Sequence, residues 1–137
     1  ICSHIAPVEL TLVGDGPERK RLEKMAKGLP VKFLPSQPIA KIREIMREHN
    51  VYVFASNCFD GWGAVVSEAV EEGMKVLGTY ETGAAATILP ESNLFHCGDY
   101  KTLAKKLMGE IPVVPIGDWS AKRASERMIE VVKGKNL

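Results

Sequence analysis

The sequence has few of the features that mark several classes of protein. Its 137 residues carry a formal net charge of +1, which gives no electrostatic case for a nucleic acid partner. No apolar run is long enough to cross a bilayer, and the N-terminal residues show no signal-peptide pattern. We therefore expect no nucleic acid among its partners and a cytoplasmic location.

Cysteine and histidine are also scarce, at three residues each. The cysteines are odd in number and far apart: Cys2, Cys58 and Cys97. The histidines are equally scattered: His4, His49 and His96. Neither set shows the spacing of a metal site, so we expect free thiols in a reducing compartment and no bound metal.

The composition that is present is ordinary for a soluble globular protein. Apolar residues make up 45% of the chain and charged residues 26%. A chain of 137 residues fits one domain and can bury a real core. No internal repeat, low-complexity segment or linker interrupts it, so residues 1–137 are treated as a single domain.

The chain alternates between short apolar runs and segments with helical periodicity. Five runs have the length of β-strands and lie at residues 8–13, 31–34, 51–55, 75–79 and 93–96. The segments between them carry apolar residues at helical spacing, and a last helix is expected from Asp118. This alternation predicts one doubly wound α/β domain with a mostly parallel sheet, helices on both faces and a ligand cleft at the carboxyl ends of the strands.

The most informative stretch is residues 51–79, which is predicted to fold as strand, loop, helix and strand. In its loop, Gly61 and Gly63 flank Trp62 just where the helix begins. Glycine allows the backbone to approach a ligand closely, and the start of a helix presents unpaired N–H groups to anions. This loop is therefore the first candidate for a binding site.

Two acids accompany the loop, and the residues alone leave the role of each open. Glu68 lies off the apolar stripe of its helix, so it is explained as well by a solvated helix acid as by a binding residue. Asp60 stands at the mouth of the loop. An acid there can offset the helix dipole, form a turn or contact a ligand.

A second glycine-containing loop, G-D-G-P at residues 14–17, follows the first apolar run. Gly14 and Gly16 lack the third glycine of a dinucleotide-binding fingerprint. The residues after Pro17 do not supply the further acid that a magnesium-dependent phosphatase would need. A tight turn from strand to helix is the simplest interpretation.

The segment D-G-W-G-A-V-V-S-E-A-V-E-E-G at residues 60–73 resembles a family signature. The signature is E-G-F-G-x-V-x-x-E-A-x-x-x-G, found in group 1 retaining glycosyltransferases of GT-B fold, where a strand followed by G-D-G-P and a helix is also common. The resemblance covers nearly the whole chain and implies the Rossmann-like C-terminal half, which binds the nucleotide-sugar. The chain departs from the family where Asp60 replaces Glu, Trp62 replaces Phe, and alanine replaces an acid after Gly83.

The resemblance also implies a role for each candidate site residue. The residues implied for the donor sugar are Asp60, Gly61, Trp62 and Gly63. Backbone N–H groups of Ala64 and Val65 would meet the diphosphate, and Glu68 would accept hydrogen bonds from the ribose hydroxyls. The residues implied to line the cleft near the base are Gly14, Gly16 and Ser36.

The reaction implied by the resemblance moves a sugar from a nucleoside diphosphate sugar, of UDP or GDP type, to an acceptor hydroxyl with retention at the anomeric carbon. Neither a cofactor nor a metal is implied.

The acceptor, a glycan or lipid, would be held by an N-terminal domain that these residues do not include. The Arg and Lys that neutralise the diphosphate in the family have no counterpart here. We therefore expect a donor-binding domain that is truncated on its N-terminal side and inactive alone. The parent enzyme is expected to act in polysaccharide biosynthesis, in the cytoplasm or at the inner membrane face.

Three other interpretations stay open. A nucleotide-sugar epimerase of GT-B fold would lack the pair of acids at this spacing. A phosphorylase of that fold would need a cofactor lysine, of which the sequence gives no sign. A non-enzymatic Rossmann-like binding module of receiver type would need paired acids after the first strand and a phosphorylatable Asp on the third, and residues 13–15 match this poorly.

Overall fold

The computed structural model of the protein describes residues 8–115 and residue 129. The elements in chain order are β1 Leu10–Val13, α1 Arg19–Met25, β2 Val31–Leu34, α2 Ile39–Arg47, β3 Val51–Phe54, α3 Val65–Glu71, β4 Lys75–Thr79, α4 Gly83–Ile88, β5 Leu94–Phe95 and α5 Tyr100–Met108. Short 3₁₀ turns cover Cys58–Asp60 and Glu91–Asn93. The predicted alternation of strands and helices is confirmed, although β1, β3 and β5 are shorter than expected. The helix expected from Asp118 lies outside the described residues except for Ile129, which is helical.

The strands form two parallel sheets, so the prediction of one continuous sheet is wrong. β1 pairs with β2, while β3, β4 and β5 form a second sheet in that order. A groove of about 360 Å³ is lined by residues of β1, β3 and α2. Because this groove lies between β1 and β3, the two strands exchange no backbone hydrogen bonds. The α/β class and the parallel pairing are confirmed.

The hydrophobic core is built around β4, whose side chains alternate between two clusters. Val76 is fully buried in a cluster that includes residues of α3 and α4. Leu77 is fully buried in a second cluster with Phe95 of β5 and Leu103 of α5. Successive side chains of a strand point to opposite faces, so α3 and α4 cover one face of the three-stranded sheet and α5 covers the other. Helices on both faces are therefore confirmed for this sheet.

Local polar chemistry fixes the ends of several elements. Gly73, with φ of 76°, follows the C-cap of α3 and ends the helix. The Asp99 side chain accepts a hydrogen bond from the Thr102 N–H at 3.0 Å and caps α5. No helix within residues 8–115 is long and apolar enough to cross a membrane.

The N-terminal sheet has little core of its own. No residue between 8 and 45 is buried, and α1 buries none of its side chains. A polar contact joins this sheet to α2: in the neutral ring of His49, Nδ1 donates to the Ile45 carbonyl at 2.7 Å, and Nε2 accepts from the Thr11 hydroxyl at 2.8 Å. His49 thus links the N-terminal sheet to the end of α2.

Candidate functional site

The loop between β3 and α3 turns twice before the helix begins. Asn57 Oδ1 accepts a hydrogen bond from the Phe59 N–H at 3.1 Å and opens the 3₁₀ turn that ends at Asp60. Gly61 then has φ of 61° and Gly63 φ of 76°, a region of backbone conformation that favours glycine. The two glycines therefore allow the backbone turns that follow Asp60, and Asp60 is exposed at the mouth of the loop.

Gly63 is required by space as well as by conformation. A Cβ atom at this position would lie 2.7 Å from Cε1 of Phe54, the last residue of β3. The loop therefore runs directly against the carboxyl end of the strand, and any side chain at Gly63 would push it away.

Trp62 and α4 hold the loop from the other side. The Trp62 carbonyl accepts from the Ala84 N–H at 2.7 Å, and the Gly61 carbonyl accepts from the Gly83 N–H at 3.4 Å. The Trp62 ring packs over Gly83, where a Cβ atom would lie 3.0 Å from Cε3 of the ring. Trp62 is 53% exposed, so its ring has both a packing contact and an open surface.

The same loop leaves a run of backbone donors free. None of the N–H groups of residues 61–65 donates a hydrogen bond to any described residue. The first of these bonds after the loop is from the Val66 N–H to the Gly63 carbonyl, at 3.0 Å. Successive free N–H groups in a tight turn form a concave surface of positive potential, which suits an anionic ligand.

Asp60 and Glu68 both influence the same side chain, that of Tyr52. Burial raises the pKa of Tyr52 to about 12, and the negative charges of Asp60 and Glu68 add to the shift. Both carboxylates are therefore within electrostatic range of the Tyr52 hydroxyl. Neither carboxylate forms a salt bridge with a described residue. Asp60 and Glu68 thus both act electrostatically on Tyr52, and the loop at residues 61–65 lies between them in the sequence.

Tyr52 was missed at the sequence level. The sequence pattern indicates only a short apolar strand at this position, where the Tyr52 ring stacks on that of Phe54 with centroids 6.4 Å apart. A tyrosine on the same strand face as the residue that contacts the glycine loop was the available signal. A tyrosine hydroxyl is protonated at neutral pH even at its ordinary pKa of 10.0, and the raised pKa extends this to higher pH, so the Tyr52 hydroxyl can donate a hydrogen bond.

The two other acids of this helix region are committed to structure. Glu72 receives hydrogen bonds from Arg47 Nε at 2.6 Å and from Arg43 Nη1 at 3.0 Å, and Arg43 Nη2 also reaches Glu71 at 3.3 Å. Hydrogen bonding from Arg47 is the main cause that holds the pKa of Glu72 below its usual value. These contacts tie α2 to α3, so Glu68 differs from its neighbours in having no basic partner.

The loops after β1 and β2 form a second polar cluster. Asp15 Oδ2 accepts from the Ser36 N–H at 2.9 Å, and this bond is the main cause that lowers the pKa of Asp15. Arg19 Nη1 donates to Asp15 Oδ1 at 2.9 Å and to the Gly14 carbonyl at 3.0 Å. The Gly16 carbonyl accepts from the Arg19 N–H at 3.1 Å. The cluster therefore unites Gly14, Gly16 and Ser36, but no hydrogen bond joins it to the loop at residues 61–65.

Within residues 8–115, no group of three His, Cys, Asp or Glu side chains is arranged to hold a metal ion. The chemistry available at the loop is thus backbone N–H groups, two carboxylates, a protonated phenol and an indole face. Such a set can bind a ligand with an anionic part and vicinal hydroxyls.

Comparisons with known proteins point to one family. The family model described as Glycosyl transferases group 1 matches residues 1–109. Sulfoquinovosyl transferase SQD2 of Arabidopsis thaliana is 26% identical over an alignment of 113 residues, and the match covers 78% of this chain and 22% of that protein. The catalytic domain of cholesterol-alpha-glucosyltransferase from Helicobacter pylori matches with a TM-score of 0.66 and 22% identity, over 94% of this chain and 76% of that one. At that identity the structural match supports a shared fold alone.

Proposed function

The chain belongs to the group 1 glycosyltransferase family, and on this premise we propose that it is the donor-binding half of a retaining glycosyltransferase. The parent enzyme would transfer a sugar from a nucleoside diphosphate sugar to an acceptor hydroxyl. The observation that carries the proposal is the loop at residues 61–65, whose free N–H groups lie next to the unpaired acids Asp60 and Glu68. The chain spans 22% of the length of the curated relative it matches, so we propose the activity for a longer protein and not for these residues alone.

The diphosphate is proposed to bind the backbone N–H groups of Ala64 and Val65. Both are free of acceptors among the described residues, and their dipoles suit phosphate oxygens. Arg43 and Arg47 are paired with Glu71 and Glu72 at the C-terminal end of α3, and so contribute no free charge to the loop. Without a cation at the diphosphate, the chain alone should bind weakly. It should transfer no sugar, because nothing holds an acceptor against the donor.

Glu68 is proposed to bind the ribose hydroxyls. A carboxylate accepts two hydrogen bonds from a vicinal diol, and Glu68 is half-buried without a basic partner to compete for its oxygens. The Tyr52 hydroxyl, protonated and close to both acids, is a donor available to the same ligand.

The transferred sugar is proposed to contact Asp60, Gly61, Trp62 and Gly63. Asp60 is exposed and so is able to accept hydrogen bonds from sugar hydroxyls, while the open part of the Trp62 ring offers an apolar face. The shorter side chain of Asp60, compared with the usual Glu, favours a different sugar preference or a closer approach of the loop.

The base is proposed to lie near Gly14, Gly16 and Ser36. Asp15 accepts the Ser36 N–H, which fixes the backbone of Ser36, and the open backbone at Gly16 is available to a base. We propose a donor of UDP or GDP type, a glycan or lipid acceptor held by a domain outside residues 1–137, and a role in polysaccharide biosynthesis. The parent enzyme would act in the cytoplasm or at the inner face of a membrane.

Ligand-observed NMR titrations with UDP, GDP and ADP test the donor site. Glu68→Gln should weaken binding by about tenfold to a hundredfold, since hydrogen bonds to a charged group contribute roughly 1.5–3 kcal/mol. Glu71→Gln is the matched control, because it removes a carboxylate of the same helix that faces Arg43, and binding should not change.

Two outcomes would contradict the proposal. Equal binding by the wild type and Glu68→Gln would remove the ribose role of Glu68. Efficient sugar transfer by the 137-residue chain would overturn its assignment as half of an enzyme.

A further inference from the structure

Glu81 joins two loops at the carboxyl ends of neighbouring strands. It lies between β4, which ends at Thr79, and α4, which begins at Gly83. Its Oε1 accepts a hydrogen bond from Nδ1 of His96 at 3.0 Å, and its Oε2 accepts one from the Cys97 N–H at 3.0 Å. His96 and Cys97 follow β5, the parallel neighbour of β4. One carboxylate therefore connects the loop after β4 with the loop after β5.

The tautomer of the His96 ring follows from this contact. An ionised carboxylate only accepts hydrogen bonds, so Nδ1 carries the proton that is donated to Glu81. The Glu81 carboxylate is ionised at neutral pH, and hydrogen bonding from His96 is the main cause that lowers its pKa further. The Tyr80 ring packs against the imidazole with centroids 4.8 Å apart, and the Tyr80 N–H donates to the Phe95 carbonyl at 3.1 Å. The imidazole is thus held by both an acceptor and an aromatic neighbour.

The segment that follows Glu81 is fixed by two threonines. Thr82 is buried, and its hydroxyl donates to the Thr79 carbonyl at 3.0 Å. The Thr79 hydroxyl donates in turn to the carbonyl of Ser56, which lies between β3 and α3. The residues between β4 and α4 are therefore attached to the beginning of the loop that leads into α3.

The first turn of α4 holds the later part of the same loop. The Gly83 and Ala84 N–H groups donate to the carbonyls of Gly61 and Trp62, and no other group of the described residues donates to these two carbonyls. Glu81 stands two positions before Gly83. A shift of the backbone at Glu81 would therefore move the N–H groups that hold the loop.

Two other roles for this cluster are less well supported. Each Glu81 oxygen already accepts a hydrogen bond within the protein, which makes the carboxylate a poor contact for a ligand. His96, Cys97 and Glu81 are of residue types that bind metals, but no group of three such side chains within residues 8–115 is arranged to hold an ion. The arrangement favours a link between loops.

We propose that Glu81 is a positioning residue for the loop at residues 61–65. By bonding His96 and the Cys97 N–H, it fixes the first turn of α4 at the carboxyl edge of the sheet, and α4 in turn fixes the loop. The effect on a ligand rests on the donor site proposed above, whereas the effect on the loop does not. The loop is therefore observed first without a ligand.

Variants of the 137-residue chain separate the hydrogen bonds of Glu81 from its charge. Glu81→Ala removes both bonds. Glu81→Gln can keep both, since its amide oxygen can accept from the Cys97 N–H while its NH₂ group donates to Nδ1 of the other neutral tautomer of His96. Glu91→Ala is the matched control, because Glu91 is an exposed acid between α4 and β5 that forms no salt bridge with a described residue.

Amide order parameters from ¹⁵N relaxation of the unliganded chain give the first measurement. In the wild type and in Glu91→Ala, the amides of Trp62 and Gly63 should have values of about 0.85, as in a rigid backbone. Glu81→Ala should lower them to below about 0.6, whereas Glu81→Gln should leave them close to the wild-type values.

The ring nitrogens of His96 report whether the link itself forms. At a pH where the imidazole is neutral, ¹⁵N shifts of the wild type should show the proton on Nδ1. In Glu81→Gln the proton should be on Nε2, because the amide NH₂ group then donates to Nδ1. A general loss of stability would not exchange the roles of the two nitrogens.

Titration with UDP measures the consequence for the proposed donor site. If Glu81→Ala leaves the loop in its binding conformation for roughly a tenth to a third of the time, the affinity should fall about threefold to tenfold. Glu81→Gln and Glu91→Ala should bind UDP as the wild type does.

The outcomes distinguish the two proposals. Unchanged order parameters in Glu81→Ala would overturn the positioning role, whether or not UDP binds. Equal loss of order in Glu81→Gln would also overturn it, because charge and not the hydrogen bonds would then matter. Lowered order with unchanged UDP affinity, or no UDP binding by the wild type, would contradict the donor site alone. If Glu81→Ala does not fold, His96→Ala decides instead, since it removes one of the two bonds at an exposed side chain and should lower the same order parameters.

Discussion

The two sheets of this protein are held together by different forces. Around β3, β4 and β5, two apolar clusters bury side chains almost completely. Around β1 and β2, the contacts are polar and exposed, such as the link from Arg19 through Asp15 to Ser36. Burial of apolar surface contributes about 25 cal/mol per Å², whereas exposed ion pairs contribute roughly 0–1 kcal/mol each. We conclude that the three-stranded sheet supplies most of the stability, and that the two-stranded sheet depends on what it is packed against.

The test with the largest expected effect removes a leucine side chain from each of the two regions. Leu77→Ala would empty a fully buried position in the second cluster and should cost about 2–5 kcal/mol. Leu22→Ala would trim a side chain of α1 that is 37% exposed and should cost at most about 1 kcal/mol. Urea unfolding followed by circular dichroism measures both. Equal losses would mean that the N-terminal sheet has a core of its own.

A second test compares a crowded glycine with an open one. Gly63→Ala would combine a positive φ with a Cβ atom 2.7 Å from Phe54, and should cost roughly 2–4 kcal/mol. Gly16→Ala meets no atom within 4 Å and should change the free energy of unfolding by no more than about 0.5 kcal/mol. The same unfolding measurement applies. A mild Gly63→Ala variant would show that the loop can move away from β3.

A third test concerns the ion pairs between α2 and α3, since α2 lies between the two regions. The pKa of Glu72 is lowered in the folded protein from the usual 4.5. Folding therefore favours the ionised form of Glu72. The contribution of this form to the free energy of unfolding is present above pH 4.5, and it is lost as the pH falls through the lower pKa of the folded state. Glu72→Gln should accordingly lower the thermal midpoint at pH 7, with a difference from wild type that shrinks below pH 4.5.

The control for this test is Glu48→Gln, which removes a carboxylate near the end of α2 that has no salt bridge with a described residue. Its difference from wild type should stay small across the same pH range. A Glu72→Gln difference that persists unchanged at pH 3 would show that packing, and not the ion pairs, joins the two helices.

The smallest effect is expected at the proposed donor site. Glu68→Gln should change the free energy of unfolding by no more than about 0.5 kcal/mol, because no basic side chain among the described residues pairs with Glu68. Denaturation of the variant used in the binding titrations measures this directly. A large loss of stability would mean that Glu68 supports the fold, and its effect on binding could no longer be assigned to a ligand contact.

The local elements were predictable from the sequence because their signals are local. The apolar runs and the capping residues Gly73 and Asp99 determine strands and helix ends within a few neighbouring positions. The division into two sheets was not predictable, because the pairing of β1 depends on which strand lies beside it and not on its own residues. The same limit applies to the candidate site, because the electrostatic effect of Asp60 and Glu68 on Tyr52 depends on the fold. It also applies to the hydrogen bond between Asp15 and Ser36, which joins two separate loops.

The contact between α4 and the loop has a consequence for electrostatic preorganisation. A trans peptide unit is planar, with its carbonyl and N–H pointing in opposite directions. The carbonyls of Gly61 and Trp62 are fixed toward α4 by the N–H groups of Gly83 and Ala84, so the N–H groups of Trp62 and Gly63 must point away from α4. These two peptide dipoles are oriented before the proposed anion binds, so none of the binding free energy would be spent on turning them.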